Sequence, residues 1–456
     1  MLDRFNHTAN AILVSELTQQ NLRYDIDADK WYFWSGDWKE EKYVDEFIRK
    51  AAVYREFHLS NIMDDRVRKE AKQWANNSFN MYHIRETRAT MERMECFAFP
   101  VPNNSTMLFK TGNKVIDLVT LEVRDTRLTD GLTYGSNIEY DSSSQCPIWE
   151  NLLLTAFHDM ELIHYFQKMV GYFLTGETRE QVFFHLVGIP GSGKSKIVST
   201  LTKLLGEYAH STDFRAFAKS KFDGSIINHE LAPMRGKRLV ATSEPSKNDK
   251  WDDKTLKTIT GEDIITCRFL HKEEFQYSPQ FKVIVMSNWK MYTEDLSGAF
   301  DRRYIPIPFD ISFTEDITRT PDLNLDKKLN AELPGILNWA LDGCQMWQKE
   351  GLRPIPNAIL DVKADQKSEN RSNVFGGVPQ FAEECLQKSN LIRLSSANVY
   401  AAYTQWAESI RIPAHSILGS PEKVTQILRD LGFAPYRTNS ARGIMAELTN
   451  TVNIKL

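Results

Sequence analysis

The chain has 456 residues, of which 42% are apolar and 25% are charged, so its composition is that of a globular protein with roughly two to four domains. Its net charge of −4 argues against an open basic face that coats duplex DNA, but it allows basic residues gathered locally, for example inside a pore. No apolar run is long enough for a membrane span, and no signal peptide is recognisable. The five dispersed cysteines argue against a zinc site and fit a reducing cytosol.

The first region, residues 1–145, is predicted to be a mixed α+β domain. Aromatic residues flank a Ser-Gly-Asp turn within 27–38, which indicates a β-hairpin. Residues 43–94 are highly charged and follow a helical period, and 107–118 resembles two short strands around a turn. The polar segment 129–147 is rich in turn residues and is a candidate linker.

The rest of the chain divides into four segments. Residues 146–180 are predicted to form a helical collar or linker, because apolar residues in 147–175 form stripes at helical spacing; the stripes would pack as core or between subunits. Residues 181–350 alternate apolar strands with helical periods, as in a parallel α/β sheet. Prolines and a charged run predict a linker over 351–376, and 377–456 has the size and element order of a small winged-helix-like domain.

A phosphate-binding loop is the clearest motif, because GIPGSGKS at 188–195 matches GxxxxGK[ST]. An apolar strand precedes the loop and a helical period follows it, which is the context that this pattern requires. The glycines let backbone N–H groups turn toward phosphate oxygens, Lys194 reaches the β- and γ-phosphates, and the Ser195 hydroxyl ligates Mg²⁺. The sequence therefore predicts that ATP and Mg²⁺ are bound by Gly188, Pro190, Gly191, Ser192, Gly193, Lys194 and Ser195.

Polar residues end the next two apolar strands. One strand ends in Ser243 and Glu244, and many ATPases of this kind carry two acids at that point. Since serine takes the first place here, Glu244 is predicted both to hold Mg²⁺ and to polarise the attacking water, although a strand-end glutamate is often only solvated. The other strand, 281–288, ends in Asn288, whose amide would orient the water and sense the γ-phosphate, or would only cap a turn.

Two basic pairs follow the loop in the sequence. His271 and Lys272 lie at the tip of a predicted hairpin, where they would touch a phosphate backbone or belong to a solvated turn. Arg302 and Arg303 directly precede a further apolar strand. An arginine at that place would stabilise the phosphoryl group transferred in a neighbouring subunit, or would pair with Asp301 at the surface. The residues alone leave both alternatives open.

The order and spacing of these pieces resemble the superfamily 3 helicase domain of phage and plasmid primase–helicases, a family related to the poxvirus primase–helicase. The segments that carry the resemblance are 235–245, 253–263, 275–288, 301–303 and 332–339. It is strongest over about 145–345, weaker before that, and only general in the C-terminal part.

The resemblance implies an AAA+-type P-loop ATPase core that assembles into a ring, usually a hexamer, with ATP bound between subunits. It implies a helicase or translocase that hydrolyses ATP and draws one DNA strand through its pore during replication of a phage, plasmid or related mobile element. The implied partners are DNA, further copies of this chain and a separate primase or polymerase, with no membrane.

Carried over by motif, the resemblance gives each candidate residue a role. The implied catalytic set is Lys194, Glu244, the sensor Asn288, Arg302 and Arg303. Arg303 is favoured over Arg302 as the arginine finger, because the finger of this family typically precedes an apolar residue. The implied metal ligands are Ser195 and Glu244, and the implied DNA contacts are Lys257, His271 and Lys272.

The chain departs from the family in two ways. Ser192 stands where the family often has asparagine, and residues 1–145 lack a convincing pair of primase acid motifs. We therefore predict no primer synthesis, and we expect either a relative without a primase or the helicase portion of a longer protein. Two other functions stay open: an ATP-switched origin-binding or loading protein that does not unwind DNA, and a small-molecule kinase, which would need an arginine-bearing lid.

Overall fold

The computed structural model describes residues 5–449 except 27, 60–63, 100–104, 113, 219–228, 246–250, 262, 271–272, 291–292, 294–297, 314–321, 411, 413–416 and 439–440. The helices are α1 (His7–Leu17), α2 (Val44–Leu59), α3 (Asp65–Asn77), α4 (Met81–Met91), α5 (Pro147–Phe157), α6 (Met160–Phe173), α7 (Lys194–Leu205), α8 (Asp253–Thr260), α9 (Ala299–Arg303), α10 (Leu325–Ala331), α11 (Leu333–Glu350), α12 (Asn357–Phe375), α13 (Val378–Cys385), α14 (Ser396–Ser409) and α15 (Pro421–Asp430). The strands are β1 (Leu22–Asp25), β2 (Lys30–Trp34), β3 (Trp38–Glu40), β4 (Leu108–Thr111), β5 (Lys114–Asp117), β6 (Val123–Asp125), β7 (Phe183–Gly188), β8 (Ala209–Thr212), β9 (Leu239–Thr242), β10 (Ile265–Cys267), β11 (Phe275–Tyr277), β12 (Lys282–Ser287), β13 (Tyr304–Phe309), β14 (Leu386–Ser395), β15 (Pro435–Arg437) and β16 (Arg442–Leu448).

The N-terminal region combines helices α1–α4 with two small antiparallel sheets. The predicted hairpin is confirmed, since β2 and β3 pair antiparallel and Trp34 lies opposite Trp38 across the turn. The predicted helical stretch forms α2, α3 and α4, and the second predicted strand pair forms β4 and β5. Buried apolar side chains from α1, β2, α2 and α4, among them Val14, Trp31 and Ile48, share one core.

A parallel five-stranded sheet lies at the centre of the chain, in the order β13-β7-β12-β9-β8. Every neighbouring pair in it is parallel, which confirms the α/β sheet predicted from the alternating pattern. Apart from the edge strand β8, the strands are mostly apolar and buried, as expected for strands covered on both faces. Because all five run in one direction, the residues that follow them emerge at one edge of the sheet.

The helical period predicted over 147–175 is confirmed as helices α5 and α6, and α6 packs closely against α11. Glycine makes this approach possible, since a Cβ on Gly171 would lie 2.0 Å from the backbone nitrogen of Cys344, and one on Gly343 would lie 2.1 Å from the carbonyl oxygen of Gln167. The helices thus belong to the same buried core as one face of the central sheet. Among the described residues, no helix has both the length and the hydropathy needed to cross a bilayer.

Two buried cations fasten the end of α6 to the sheet. The Lys282 ammonium donates to the carbonyl oxygens of Thr175 and Glu177, and lies 4.6 Å from the centre of the Tyr172 ring. The Arg238 guanidinium donates to the carbonyl oxygen of Leu174 and lies 4.1 Å from the centre of a second tyrosine ring. Both side chains thus satisfy buried carbonyl oxygens of the segment that directly follows α6.

Replacing Lys282 with methionine is expected to loosen this attachment. The buried carbonyl oxygens that lose their donor cost about 1–3 kcal/mol each, so the melting temperature should fall by several degrees. Thermal unfolding followed by circular dichroism checks this, with the exposed Lys349→Met as the matched control. An unchanged melting temperature in Lys282→Met would show that the bonds do not stabilise the attachment.

The segment 351–376 differs from the predicted linker, because most of it forms helix α12 along β13. Its charges are not simply solvated: Lys363 donates to the carbonyl oxygen of Asp301 at 2.7 Å, and the Lys367 ammonium lies 3.3 Å from the Asp301 carboxylate. Ile359 and Gln366 are buried. The prolines and charged residues therefore predict a linker, whereas the chain forms a packed helix in this segment.

The C-terminal unit, which we define as the described part of 378–449, forms a separate small core. Its elements follow the order helix, strand, helix, helix, strand, strand, and its antiparallel sheet has the order β14-β16-β15. The Phe381 ring lies at its centre, edge to face with Tyr403 and tilted against Trp406. The predicted helices and β end are present as α13–α15 and as β15 and β16, whereas strand β14 was not predicted. The winged-helix-like classification stays a prediction.

Candidate nucleotide site

The phosphate-binding loop connects strand β7 of the central sheet to helix α7. Gly188, Gly191 and Gly193 have φ values of 149°, 73° and 86°, which side chains other than glycine rarely adopt. A Cβ on Gly188 would also lie 2.1 Å from the carbonyl oxygen of Phe309. The glycine spacing is therefore required by the backbone, and it directs the loop toward the N-terminus of α7, where N–H groups favour an anion.

Lys194 is the first residue of α7, and its ammonium lies inside the loop. It donates to the carbonyl oxygens of Gly188 at 2.8 Å and Ile189 at 2.7 Å, and to the Ser192 hydroxyl at 3.1 Å. Burial lowers the pKa of Lys194, while the nearby Glu244 carboxylate acts in the opposite direction. A phosphate group beside it would add negative charge and hold the lysine in its charged form.

Glu244 and Asn288 meet at the edge of the sheet, as the sequence predicted. They follow the neighbouring strands β9 and β12, and the backbone N–H of Asn288 donates to the Glu244 carboxylate at 3.1 Å. Ser243 turns the other way: its N–H donates to Thr212 at 2.9 Å and its hydroxyl accepts from Phe214 at 3.3 Å. Ser243 therefore stabilises the end of strand β9 through these two hydrogen bonds.

These groups line one cavity, which we call the nucleotide cavity. It has a volume of about 510 Å³, within the usual range for small-molecule sites. Its lining residues are Pro190, Gly191, Ser192, Gly193, Lys194, Ser195, Lys196, Glu244, Met286, Ser287, Asn288 and Phe313. The structure therefore gathers loop, acid and amide in one place, with the Ser195 hydroxyl and the Glu244 carboxylate as oxygen donors of the kind that Mg²⁺ prefers.

Phe313 was not predicted from the sequence. Its N–H donates to the carbonyl oxygen of Gly191 at 3.0 Å, and its ring lies where a Cβ on Gly193 would come within 2.7 Å. The ring thus covers one side of the loop. No motif could have revealed this contact, because it depends on where the segment after β13 crosses back over the loop.

The two arginines of α9 differ in their surroundings. The Arg303 guanidinium donates to the Thr260 hydroxyl and to the Ala299 carbonyl oxygen, each at 3.0 Å. The Arg302 side chain is exposed and has no hydrogen bond or ion pair with any described residue. Of the pair, Arg302 is therefore the one whose guanidinium is available to another molecule, whereas the resemblance favoured Arg303.

The hairpin that was predicted to contact DNA packs into a buried cluster on one face of the sheet. The predicted hairpin strands are confirmed, because β10 and β11 pair antiparallel, and the Tyr277 hydroxyl anchors them by donating to the carbonyl oxygen of Leu231 at 2.6 Å. Its tip residues His271 and Lys272 lie outside the described residues. Lys257 is exposed on α8.

Two family models match parts of the chain. One, described as D5 N terminal like, matches residues 10–158, and the other, a family of unknown function (DUF5906), matches residues 186–303 and so includes the phosphate-binding loop and both arginines. The second match covers most of the central sheet.

A curated relative is the putative helicase L207/L206 of Acanthamoeba polyphaga mimivirus, which is 28% identical over 279 residues. The match covers 60% of this chain and 28% of the relative, so the chain spans little more than a quarter of that protein's length. Among solved structures, an apo structure of the NrS-1 C-terminal region matches with a TM-score of 0.48 and 12% identity, over 96% of this chain and 99% of the other. Over part of its length, the chain is thus similar in sequence to a putative viral helicase.

Proposed function

We propose that this chain is a subunit of an ATP-driven DNA helicase that acts in the replication of a virus, phage, plasmid or related element. The observation that carries the proposal is the nucleotide cavity, in which Lys194, Glu244 and Asn288 converge at the carboxyl edge of a parallel sheet. The similarity to a putative viral helicase supports the choice of reaction.

Each residue of the cavity has a distinct task in this proposal. Lys194 and the loop N–H groups hold the β- and γ-phosphates of ATP, and Ser195 and Glu244 hold Mg²⁺. The metal, when bound, neutralises charge on the phosphate oxygens. Glu244 then accepts the proton of the attacking water, and the Asn288 amide orients that water.

The proposal includes an AAA+-type, superfamily 3 assembly, as the motif resemblance implies. The parallel sheet β13-β7-β12-β9-β8, with the phosphate-binding loop after β7, is compatible with a P-loop core of this kind. In a hexameric ring, ATP would lie between subunits, and the exposed Arg302 would reach the γ-phosphate held by a neighbour. Arg303 would then hold α9 against α8 through Thr260.

DNA would pass through the centre of the ring along the β10–β11 hairpin. His271 and Lys272 at its tip, with Lys257 on the preceding helix, would contact the phosphate backbone, which makes binding sensitive to salt. A few basic residues repeated around a ring would give a local positive lining in a chain whose net charge is −4.

Arg302→Ala is expected to lower kcat about 10³-fold while leaving ATP affinity almost unchanged, since a finger acts on the transferring phosphoryl group. Arg303→Ala is the matched control, expected to lower the melting temperature because it loses the bond to Thr260. Mixing Arg302→Ala with Lys194→Ala subunits tests whether the arginine acts on ATP that is bound by the neighbouring subunit. At a mixed interface, the first variant supplies an intact Lys194 and the second supplies an intact Arg302. A mixture that recovers hydrolysis supports it; a mixture as inactive as its components contradicts it.

An ATP-switched origin-binding protein is the second candidate, favoured by the helix and strand order of the C-terminal unit, which suits a DNA reader. The deciding experiment is strand separation on a forked DNA substrate. We expect ATP-dependent unwinding by the wild type and none by Lys194→Ala. Sequence-specific, ATP-dependent binding without unwinding would replace the helicase proposal with the second candidate.

A further inference from the structure

A buried histidine lies directly beneath the phosphate-binding loop and has no part in the chemistry described above. His185 is the third residue of β7, an otherwise apolar strand, and its side chain is 0% exposed. Both ring nitrogens are engaged: Nδ1 lies 2.9 Å from the Tyr304 hydroxyl, and Nε2 lies 2.7 Å from the Ser287 hydroxyl. Leucine or valine at this position would avoid the free-energy cost of burying a polar ring, so the presence of a histidine with two hydrogen bonds needs an explanation.

The hydrogen-bond partners fix the direction of every bond. The Ser287 hydroxyl donates to the carbonyl oxygen of Trp289, so its proton is not available to the histidine. His185 Nε2–H must therefore donate to the Ser287 oxygen, which leaves Nδ1 to accept from the Tyr304 hydroxyl. Burial, reinforced by the positive charge of Lys194, lowers the pKa of His185 to about 3, so the ring is neutral at working pH.

The ends of this hydrogen-bonded chain lie at two functional elements. Ser287 lines the nucleotide cavity and directly precedes Asn288. Tyr304 opens β13 and directly follows Arg303. Strand β7 lies between β12 and β13, and each of these two strands pairs with β7. The side chain of His185 therefore adds a second connection between β12 and β13, through Ser287 and Tyr304.

We propose that His185 is a positioning residue that couples Asn288, at the ATP site of its own subunit, to the arginine pair offered to the neighbouring subunit. The proposal rests on the ATPase ring proposed above. When Asn288 follows the γ-phosphate, the adjoining turn at Ser287 and Trp289 moves with it. The histidine has no free donor or acceptor with which to form a replacement bond, so it transmits the shift to Tyr304 and the start of β13.

The first test removes single hydroxyls from the two ends of the chain. Tyr304→Phe keeps the ring and its packing, and Ser287→Ala removes the other partner. The matched control is Tyr403→Phe, which also loses a buried hydroxyl: in the wild type it donates to the carbonyl oxygen of Gly376 at 2.6 Å and accepts from the Leu418 N–H at 3.0 Å, away from the nucleotide cavity. ATP affinity, kcat and the dependence of rate on ATP concentration are measured for each.

We expect Tyr304→Phe to keep ATP affinity within about twofold, to lower kcat at least about fivefold, and to remove cooperativity between subunits; a fivefold change corresponds to about 1 kcal/mol. The Tyr304→Phe/Ser287→Ala variant should be no slower than the slower single variant, because either change breaks the same chain. The coupling would be overturned if the losses in kcat of the two single variants multiplied in the double variant. It would also be overturned if Tyr304→Phe had the same kcat and cooperativity as the Tyr403→Phe control.

A second measurement does not depend on hydrolysis. With ¹⁵N-labelled histidine, and His185→Gln to assign the signal, the ring should be the neutral Nε2–H tautomer, and its shifts should change when a non-hydrolysable ATP analogue binds. The coupling through His185 would be refuted if the ring were an imidazolium or the Nδ1–H tautomer, or if its nitrogen shifts did not change when the analogue bound. A wild type that hydrolyses no ATP would instead refute the proposed function, and the nitrogen shifts would still test the coupling.

Discussion

Lys194→Ala is expected to weaken ATP binding about 10²-fold and to abolish measurable hydrolysis. Its ammonium exchanges three bonds within the loop for bonds to phosphate oxygens, and charge-assisted bonds contribute about 1.5–3 kcal/mol each. Binding of a fluorescent ATP analogue, with hydrolysis measured in parallel, checks both effects.

Lys203→Ala, on the same helix, is the matched control. Lys203 lies on the last turn of α7 and is not among the residues that line the nucleotide cavity, and its exposed ammonium donates to the Asn330 side chain at 3.0 Å. Substitutions at such exposed positions change stability little, so this variant should bind and hydrolyse ATP nearly as the wild type does. Equal losses in both variants would mean that the effect comes from disturbing α7 and not from contact with phosphate.

Glu244→Gln is expected to separate ATP binding from hydrolysis. Glutamine keeps an oxygen that accepts from the Asn288 N–H, so the edge of the sheet should hold its shape. It cannot accept a proton from water, so kcat should fall about 10²–10⁴-fold while ATP affinity changes little. Pre-steady-state hydrolysis and ATP-analogue binding measure the two quantities.

The control for Glu244→Gln is Glu408→Gln, an exposed carboxylate of the C-terminal unit. It should leave both quantities unchanged. If Glu244→Gln hydrolysed ATP at the wild-type rate, another group would have to activate the water, and the assignment of Glu244 as the base would be wrong. Loss of ATP affinity in Glu244→Gln would point instead to metal binding as its main task.

Local patterns predicted the parts of the site that depend on neighbouring residues in the sequence. The GxxxxGK[ST] spacing, the apolar strands and the polar residues that end them are local signals, and the sheet brings them together because parallel strands share a carboxyl edge. The same holds for the β10–β11 hairpin. These elements were expected at almost the bounds that the structure gives them.

Contacts between distant segments could not be predicted from a single sequence. The choice between Arg302 and Arg303 depends on Thr260, which takes up one guanidinium and leaves the other exposed. The hydrogen bonds of His185 to Ser287 and Tyr304 depend on the register of three strands, which a single sequence does not give. A polar residue inside the apolar run of β7 was nevertheless a local signal for them. Helix α12 was expected as a linker because its charges seemed solvated, whereas two of its lysines bind Asp301.

The measurement that most directly tests the proposed function is ATP hydrolysis with and without single-stranded DNA, on the wild type and on Lys272→Ala. The helicase proposal predicts that DNA stimulates the wild type several-fold, and that the variant keeps its basal rate but loses the stimulation. If DNA changes the rate of neither protein, the hairpin does not couple DNA to the nucleotide cavity, and an ATP-switched DNA-binding protein becomes the better description.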